Sequence, residues 1–510
     1  MNRHNAMRQA LHDTPASSAD TLFKLGVQAV NAGLFEQVQD RFAAEVAGAR
    51  ANDARLWQVL GLARRGLQDS AAAHAAFARA AALAPADPLI AHSLARTAFE
   101  AGQDATALFD RARALAPADG SVLLGRAAAQ HAEGQAEQAR ADLAEILRDN
   151  PGWLDGHICY ARLTATVAPG DDIAHTVRAA LKRFPRQADL WITLIRLHSE
   201  AGAFGQALTS VAQARVEAGT SPALTMLEGT ALNEAGRPEQ ALAVFATLPA
   251  NLAASARLHR IRALIRLHRF DEAVAVAEPH GADETDMWPY RALLWRLTGD
   301  PRWQWLEGDE RLVSVHDLAG CIDLVRLGEL LRSIHRGSGR PLDQSVRGGT
   351  QTDGNLLARG EPEIRALRAA LLGAVEAHVA QLPAPAPGHP TLLATRSPVR
   401  VAGSWSVRLA GQGFHVDHVH QQGWLSSSFY VALPEGPQGI DRTDTDHKGW
   451  LALGECRALL PDVEGFRLIE PKPGRLVIFP STMWHGTRPF AAGERLTVAF
   501  DIAPPAQEII

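Results

Sequence analysis

The chain has 510 residues and a mass of 54.8 kDa, 46% of them hydrophobic and 21% charged. That composition excludes a disordered or purely membrane-embedded protein and leaves room for two or more domains. A formal net charge of -5 and a pI near 6.5 give no global attraction to nucleic acid or an anionic membrane, so neither is an expected partner.

The opening segment MNRHNAMRQALHDTPASSAD carries no apolar run to serve as a signal peptide, and no later stretch offers about 18 consecutive apolar residues. A cytoplasmic location is expected. Cys159, Cys321 and Cys456 are too widely spaced for a disulfide framework or a zinc motif, which fits a reducing compartment. The basic run KRFPR (182–186) reads as a solvated helix end.

From about residue 19 to residue 300 the sequence is rich in alanine and arginine and repeats itself. EAGQDATALFDRARALAPADG (100–120), EGQAEQARADLAEILRDNP (133–151), EAGAFGQALTSVAQARV (200–216) and EAGRPEQALAVFATLP (234–249) each show a glycine turn followed by an alanine-rich amphipathic helix. Turn glycines at 33, 66, 102 and 134 are separated by 33, 36 and 32 residues, and those at 202 and 236 by 34. Prolines 85, 117, 151 and 185 step by 32, 34 and 34. Ala107 and Ala139, each five positions after a turn glycine, are small enough for close helix packing. A helix–turn–helix unit with a period near 34 resembles the tetratricopeptide-repeat family, here in about eight units with a degenerate one at 155–185. The resemblance implies an α-solenoid whose groove holds a protein or peptide; a purely structural array or a dimerisation surface is the alternative.

Beyond residue 300 the texture changes. CIDLVRLGELLRSIH and EPEIRALRAALLGAVEAHVAQL predict two more helices on either side of the glycine-rich QSVRGGTQTDGN (344–355), and LPAPAPGHP (382–390) stiffens the next connection. SWSVRLA, LSSSFYVAL, WLALG, RLVIFP and RLTVAF then read as short strands, which predicts a jelly roll, a double-stranded antiparallel β-barrel, with flanking helices. The second domain is expected over 305–510.

Within this barrel FHVDHVHQQGWLSSSFY (414–430) packs three histidines and an aspartate into six positions. Strand alternation puts His415 and Asp417 on one face and His418 and His420 on the other. The glycines of GQG (411–413) prevent the register being carried across from Trp405, Val407 and Leu409, so both pairs stay open as metal ligands. His485 follows the buried-looking strand Leu476–Phe479, and Arg495 begins the next strand ten residues later, with Thr497 on its own face. DRTDTDH (441–447), with His447, reads as a solvated loop.

A close ligand pair, a distant histidine and an arginine ten residues beyond it resemble the Fe(II)- and 2-oxoglutarate-dependent oxygenases. QSVRGGTQT (344–352), SWSV, HVH, LSSSFYV, GRLVIFPSTMWHG and ERLTVAFD are similar to the oxygenase family of this class that often follows tetratricopeptide repeats in bacterial chains, over roughly 305–505. In that family a glycine is followed five residues on by HxH and then by a strand with Ser and Tyr, and Gly413, His418, His420, Ser426 and Tyr430 fit. The wider prolyl-hydroxylase-like enzymes have HxD in this register, so His420 stands where an aspartate is more familiar. The resemblance implies Fe(II) on His418, His420 and His485, 2-oxoglutarate near Arg495, Thr497 and Tyr430, and O₂ as the oxidant. Three ligands on one face leave the other positions open, and a guanidinium suits the far carboxylate of the co-substrate. The activity implied is hydroxylation of a substrate C–H bond with succinate and CO₂ as co-products, on a protein or peptide docked by the repeats. Trp405, Trp424 and Trp484 are candidates for the cleft wall or the core, and Arg347 and Gln351 for the site's rim. The competing readings are an interaction scaffold with a non-catalytic barrel, and a cupin-like enzyme that needs no 2-oxoglutarate and hence no Arg495.

Overall fold

The computed structural model describes residues 3–13, 18–252, 254–278, 284–336, 342, 345–352, 354–434 and 445–505. Of the glycine-rich stretch 344–355 and the loop 441–447, Gln344, Asp353 and residues 441–444 lie outside these.

Among the described residues, eight helix–turn–helix pairs run from Ala19–Asn31 with Phe35–Ala47 to Arg257–Arg266 with Phe270–Ala277. Local chemistry sets their ends. Asp53, Asp87 and Asp119 sit in extended backbone at three helix starts, and each carboxylate accepts a first-turn N–H. The turn inside most pairs is left-handed, at Gly33, Gly102, Gly134, Gly202 and Gly236. Gly66 departs from the expected pattern. It ends a helix against the ring of Phe35, and Gln68 takes the left-handed position at φ 60°. The degenerate unit is a pair as well, Leu154–Val167 and His175–Arg183, tied by a 2.9 Å hydrogen bond between His157 Nδ1 and Thr176 Oγ1. Small residues let the helices approach: a methyl group on Gly61 would lie 2.6 Å from the Phe77 ring.

After helix Trp288–Thr298 the chain forms a curled antiparallel sheet of β1 (Ser314–Asp317), β2 (Val346–Gln351), β3 (Val401–His418), β4 (Leu425–Ala432), β5 (Leu451–Leu453), β6 (Arg467–Ile469), β7 (Arg475–Pro480), β8 (His485–Thr487) and β9 (Arg495–Ile502). The order is β1-β7-β4-β9-β3-β8-β5-β6, with β2 on β3. Helices Leu324–Ile334 and Pro362–Gln381 pack on the core beside β4 and β7. β3 makes the curl: Val401–Leu409 pair with β9, whereas His415 and His418 pair with β8. The bend falls at Gly413, where a side chain would strike the carbonyl oxygens of Ala410 and Gly348 at 2.7 and 2.8 Å.

The sheet domain lies along the edge of the solenoid formed by the turns. Gln68 Nε2 donates to Val401 O at 2.7 Å, Gly360 N to Ala101 O at 3.0 Å, and Arg400 pairs with Glu36 at 2.7 Å. At the far end Trp484 reaches from the sheet domain into the last helices, donating to Pro289 O at 3.1 Å and meeting the Tyr290 ring edge-on. Cys456, Leu459, Leu460 and Trp484 share one apolar cluster with Ile261, Leu264 and Leu294. Among the described residues no helix is long and apolar enough to cross a membrane.

Candidate functional site

The second half of β3, the start of β8 and one face of β9 converge on a cavity of about 580 Å³. A bulge between His415 and His418 breaks the strict alternation expected for β3. His415 and His418 therefore both line the cavity, while Asp417 between them turns away.

His418, His420 and His485 come together: one ring nitrogen from each lies within 4.8 Å of the other two. Each Nδ1 is already used. His418 Nδ1 donates to Val416 O at 2.7 Å, His485 Nδ1 to Met483 O at 2.9 Å, and His420 Nδ1 to Asp501 Oδ2 at 2.6 Å. Those acceptors hold no proton to give, so the tautomer is set and each Nε2 carries the lone pair a cation needs; His418 Nε2 also lies 3.5 Å from Ser345 Oγ. Burial, then the nearby His420, holds the His418 imidazole down to about 4; burial, then His418, holds His485 well below its ordinary value. Neutral imidazoles are the form that binds a metal.

The alternative pair is not assembled at this cluster. Asp417 accepts from Arg457 Nη2 at 2.6 Å and from Arg457 Nε and backbone N at 2.8 Å each. Gly486 leaves room for that carboxylate, since a methyl group there would meet Asp417 Oδ1. His415 lines the cavity, with its ring centroid 6.2 Å from that of His418.

Arg495, Thr497 and Ala499 share a face of β9 and line the cavity. Arg495 is 2% exposed, its guanidinium donates to Gly449 O and its charged carbon stands 5.0 Å from the Tyr430 ring centroid. Burial works against its charge, and Tyr430 offsets part of that. Tyr430 is fully buried against Arg495 and is not among the residues that line the cavity. The buried guanidinium and the Thr497 hydroxyl, whose nearest acceptor is Val407 O at 3.5 Å, are donors suited to a carboxylate, with Tyr430 packed against the guanidinium. Arg347, Gln351 and the half-buried Trp405 also line the cavity. Trp424 and Trp484 are core residues: Trp424 donates to Thr391 O at 2.9 Å, and Trp484 belongs to the interface with the last helices. His447 lies outside the cavity wall, against the ring of Trp450.

Sequence reasoning missed two parts of the site. Asp501, the next residue on the Arg495–Thr497–Ala499 face, was legible from alternation alone. The second is the solenoid's own contribution: Ser199, Glu200, Gly202 and Phe204, around one repeat turn, form part of the cavity wall. No local signal marked it, because it arises from how the domains pack.

Fold and site together define a helical-repeat solenoid joined to a curled β-domain with a clustered histidine triad. Residues 403–501 match the family described as "Putative 2OG-Fe(II) oxygenase", so the chain carries a 2OG-Fe(II) oxygenase-like domain behind tetratricopeptide-type repeats. Among solved structures the chain is similar to a tetratricopeptide repeat protein from Parabacteroides merdae, at 18% identity and TM-score 0.30, covering 44% of this chain and 90% of that one. It is similar to a Pseudomonas putida prolyl-4-hydroxylase at 18% identity and TM-score 0.25, over 38% of this chain and 94% of that one. Yeast Tom70 matches at 16% identity and TM-score 0.35, over 60% of this chain and 65% of that one. In sequence, none of the curated proteins compared with the chain matches it.

Proposed function

We propose that the chain is an Fe(II)- and 2-oxoglutarate-dependent dioxygenase that hydroxylates a protein or peptide. The observation that carries the reading is the triad: three buried or half-buried imidazoles bring one ring nitrogen each within 4.8 Å of the others, and each Nδ1 has a hydrogen-bond partner. In this reading His418, His420 and His485 would hold the metal. Arg495, Thr497 and Tyr430 would bind the far carboxylate of 2-oxoglutarate. Bound there, the metal and co-substrate supply the oxidation of the substrate C–H bond by O₂. The protein's own task is to hold His418 and His485 neutral, orient both ligands and limit water through the packed walls of the cavity.

The repeats, taken as 19–300, would dock the substrate for the domain at 305–510. Two observations support this. A repeat turn lines the cavity, and Gln351 lines both that cavity and an adjoining crevice of about 190 Å³ between Phe99, His131 and Thr166 of the repeats and β2. The two hollows share a wall at Gln351, where a docked chain would come nearest the triad.

Purified full-length protein with Fe(II), ascorbate and 2-oxoglutarate is expected to form succinate, and a mass-spectrometric search for a peptide gaining one oxygen identifies the substrate. Absence of both metal binding and succinate, even with lysate present, leaves the non-catalytic scaffold as the better account.

A further inference from the structure

Two of the three clustered histidines orient themselves on their own strand: His418 and His485 each donate Nδ1 to the carbonyl two residues earlier. His420 differs. Its Nδ1 meets the carboxylate of Asp501, 81 residues away, at 2.6 Å. The carboxylate is itself fixed, because Asp501 Oδ1 accepts from Ser426 Oγ at 2.7 Å and that hydroxyl lies 2.9 Å from Ser481 Oγ. The backbone is drawn into the same corner, with His420 N donating to Ser481 O at 3.0 Å. Gly423 leaves the corner open: a methyl group there would stand 2.5 Å from Ser481 Oγ and 3.5 Å from Asp501 Cβ. Trp405 covers it from the side, its ring 5.5 Å from that of His420.

We infer that Asp501 is a positioning residue that supplies, through His420, the negative charge that an all-imidazole ligand set lacks. Three neutral ligands leave a divalent cation's charge uncompensated in a poorly solvated site, and a carboxylate one hydrogen bond behind a ligand compensates it at short range. The hydrogen bond also fixes the His420 tautomer and sets its ring plane. Ser426 is the residue that keeps Asp501 aimed. The inference rests on the reading of His418, His420 and His485 as a metal centre.

The test uses metal-free full-length protein titrated with Co(II) against a competing chelator, with the melting temperature of the metal-free form measured alongside. Asp501→Asn keeps the shape and an acceptor for His420 but removes the charge. It is expected to bind Co(II) about 10–100-fold more weakly at an unchanged melting temperature. Loaded with iron, it is expected to show a more positive Fe(III)/Fe(II) midpoint potential, which a merely structural role would not produce. Ser426→Ala, which keeps the charge and loses its alignment, is expected to weaken binding by a smaller factor. Binding by Asp501→Asn within threefold of the wild type overturns the inference while leaving the metal centre intact. Should that variant fail to fold, an unchanged affinity in Ser426→Ala overturns it instead. Wild-type protein that binds no Co(II) removes the metal reading itself.

Discussion

Asp417 and Arg457 form a two-pronged ion pair, Nη2 to Oδ1 at 2.6 Å and Nε to Oδ2 at 2.8 Å, with the aspartate side chain 1% exposed. The carboxylate that the sequence places between the candidate ligands is thus spent on fixing the segment around Cys456 and Arg457. Asp417→Asn is expected to retain metal binding and to lose stability, by about 1.5–3 kcal/mol for the charged hydrogen bonds removed. Equilibrium urea unfolding and a Co(II) titration on the same sample check both halves. Lost binding with unchanged stability would move Asp417 into the ligand set.

His485→Ala is expected to abolish stoichiometric metal binding, and His418→Ala and His420→Ala to do the same, because each supplies one of the three grouped nitrogens. His415→Ala is the control. Its ring lines the cavity outside the triad, so metal affinity is expected to stay within a few-fold of wild type. Metal analysis after gel filtration separates the four variants.

Arg495 lines the cavity but is not part of the histidine triad. Arg495→Lys keeps a cation but not the forked donor geometry, and Arg495→Ala removes both. Both are expected to bind metal normally. The KM for 2-oxoglutarate is expected to rise by about 10-fold or more, the loss of a charge-assisted bond of roughly 1.5–3 kcal/mol. Substrate turnover that is unchanged in the alanine variant, with or without added 2-oxoglutarate, would favour an enzyme that uses the metal without that co-substrate.

Much of this architecture was readable in advance, and the exceptions have physical causes. The solenoid showed itself through its period because each turn needs a left-handed residue at the same place. Gln68 and His268 adopt that conformation without being glycine, so the second turn reads two residues early, at Gly66, and the last carries no glycine signal. β4, β7 and β9 are β-branched or aromatic and bounded by turn residues, and they were legible. β2, VRGGTQ, was not, because its pairing depends on the absence of a side chain at Gly349, where a methyl group would lie 2.4 Å from Arg408 O. In the site, alternation worked along β9 and failed along β3, where the bulge lets His415 and His418 reach one cavity and sends Asp417 elsewhere.

His389 links the connection at 382–390 to helix Arg302–Leu306. Its Nε2 donates to Trp305 O at 3.2 Å, and its Nδ1 accepts from Thr391 N and Leu392 N at 3.0 and 3.1 Å. Burial holds this imidazole down to about 4, against 6.5 in the unfolded chain. The unfolded chain therefore takes up the proton first. The neutral ring's contribution is full above about pH 6.5 and disappears as the pH falls toward 4, worth about 2–3 kcal/mol over that window. His389→Asn retains an acceptor for the two N–H groups without the titration. Stability measured from pH 7 to pH 4.5 is expected to fall less steeply in this variant, and equal slopes would discharge His389 from the role.

A tetratricopeptide array by itself behaves as a spring, because each repeat touches only its neighbours and small changes in stacking add up along the axis. Here Glu36, Gln68 and Ala101, from successive turns, are fastened to Arg400, Val401 and Gly360 of one β-domain, and Pro289 at the other end is fastened to Trp484. The β-domain acts as a splint along the coil. Any change in the coil's curvature must shear those anchors or carry the cavity wall at Ser199–Phe204 with it. A molecule that stretches or tightens the repeats thereby moves the mouth of the histidine site, without touching the histidines.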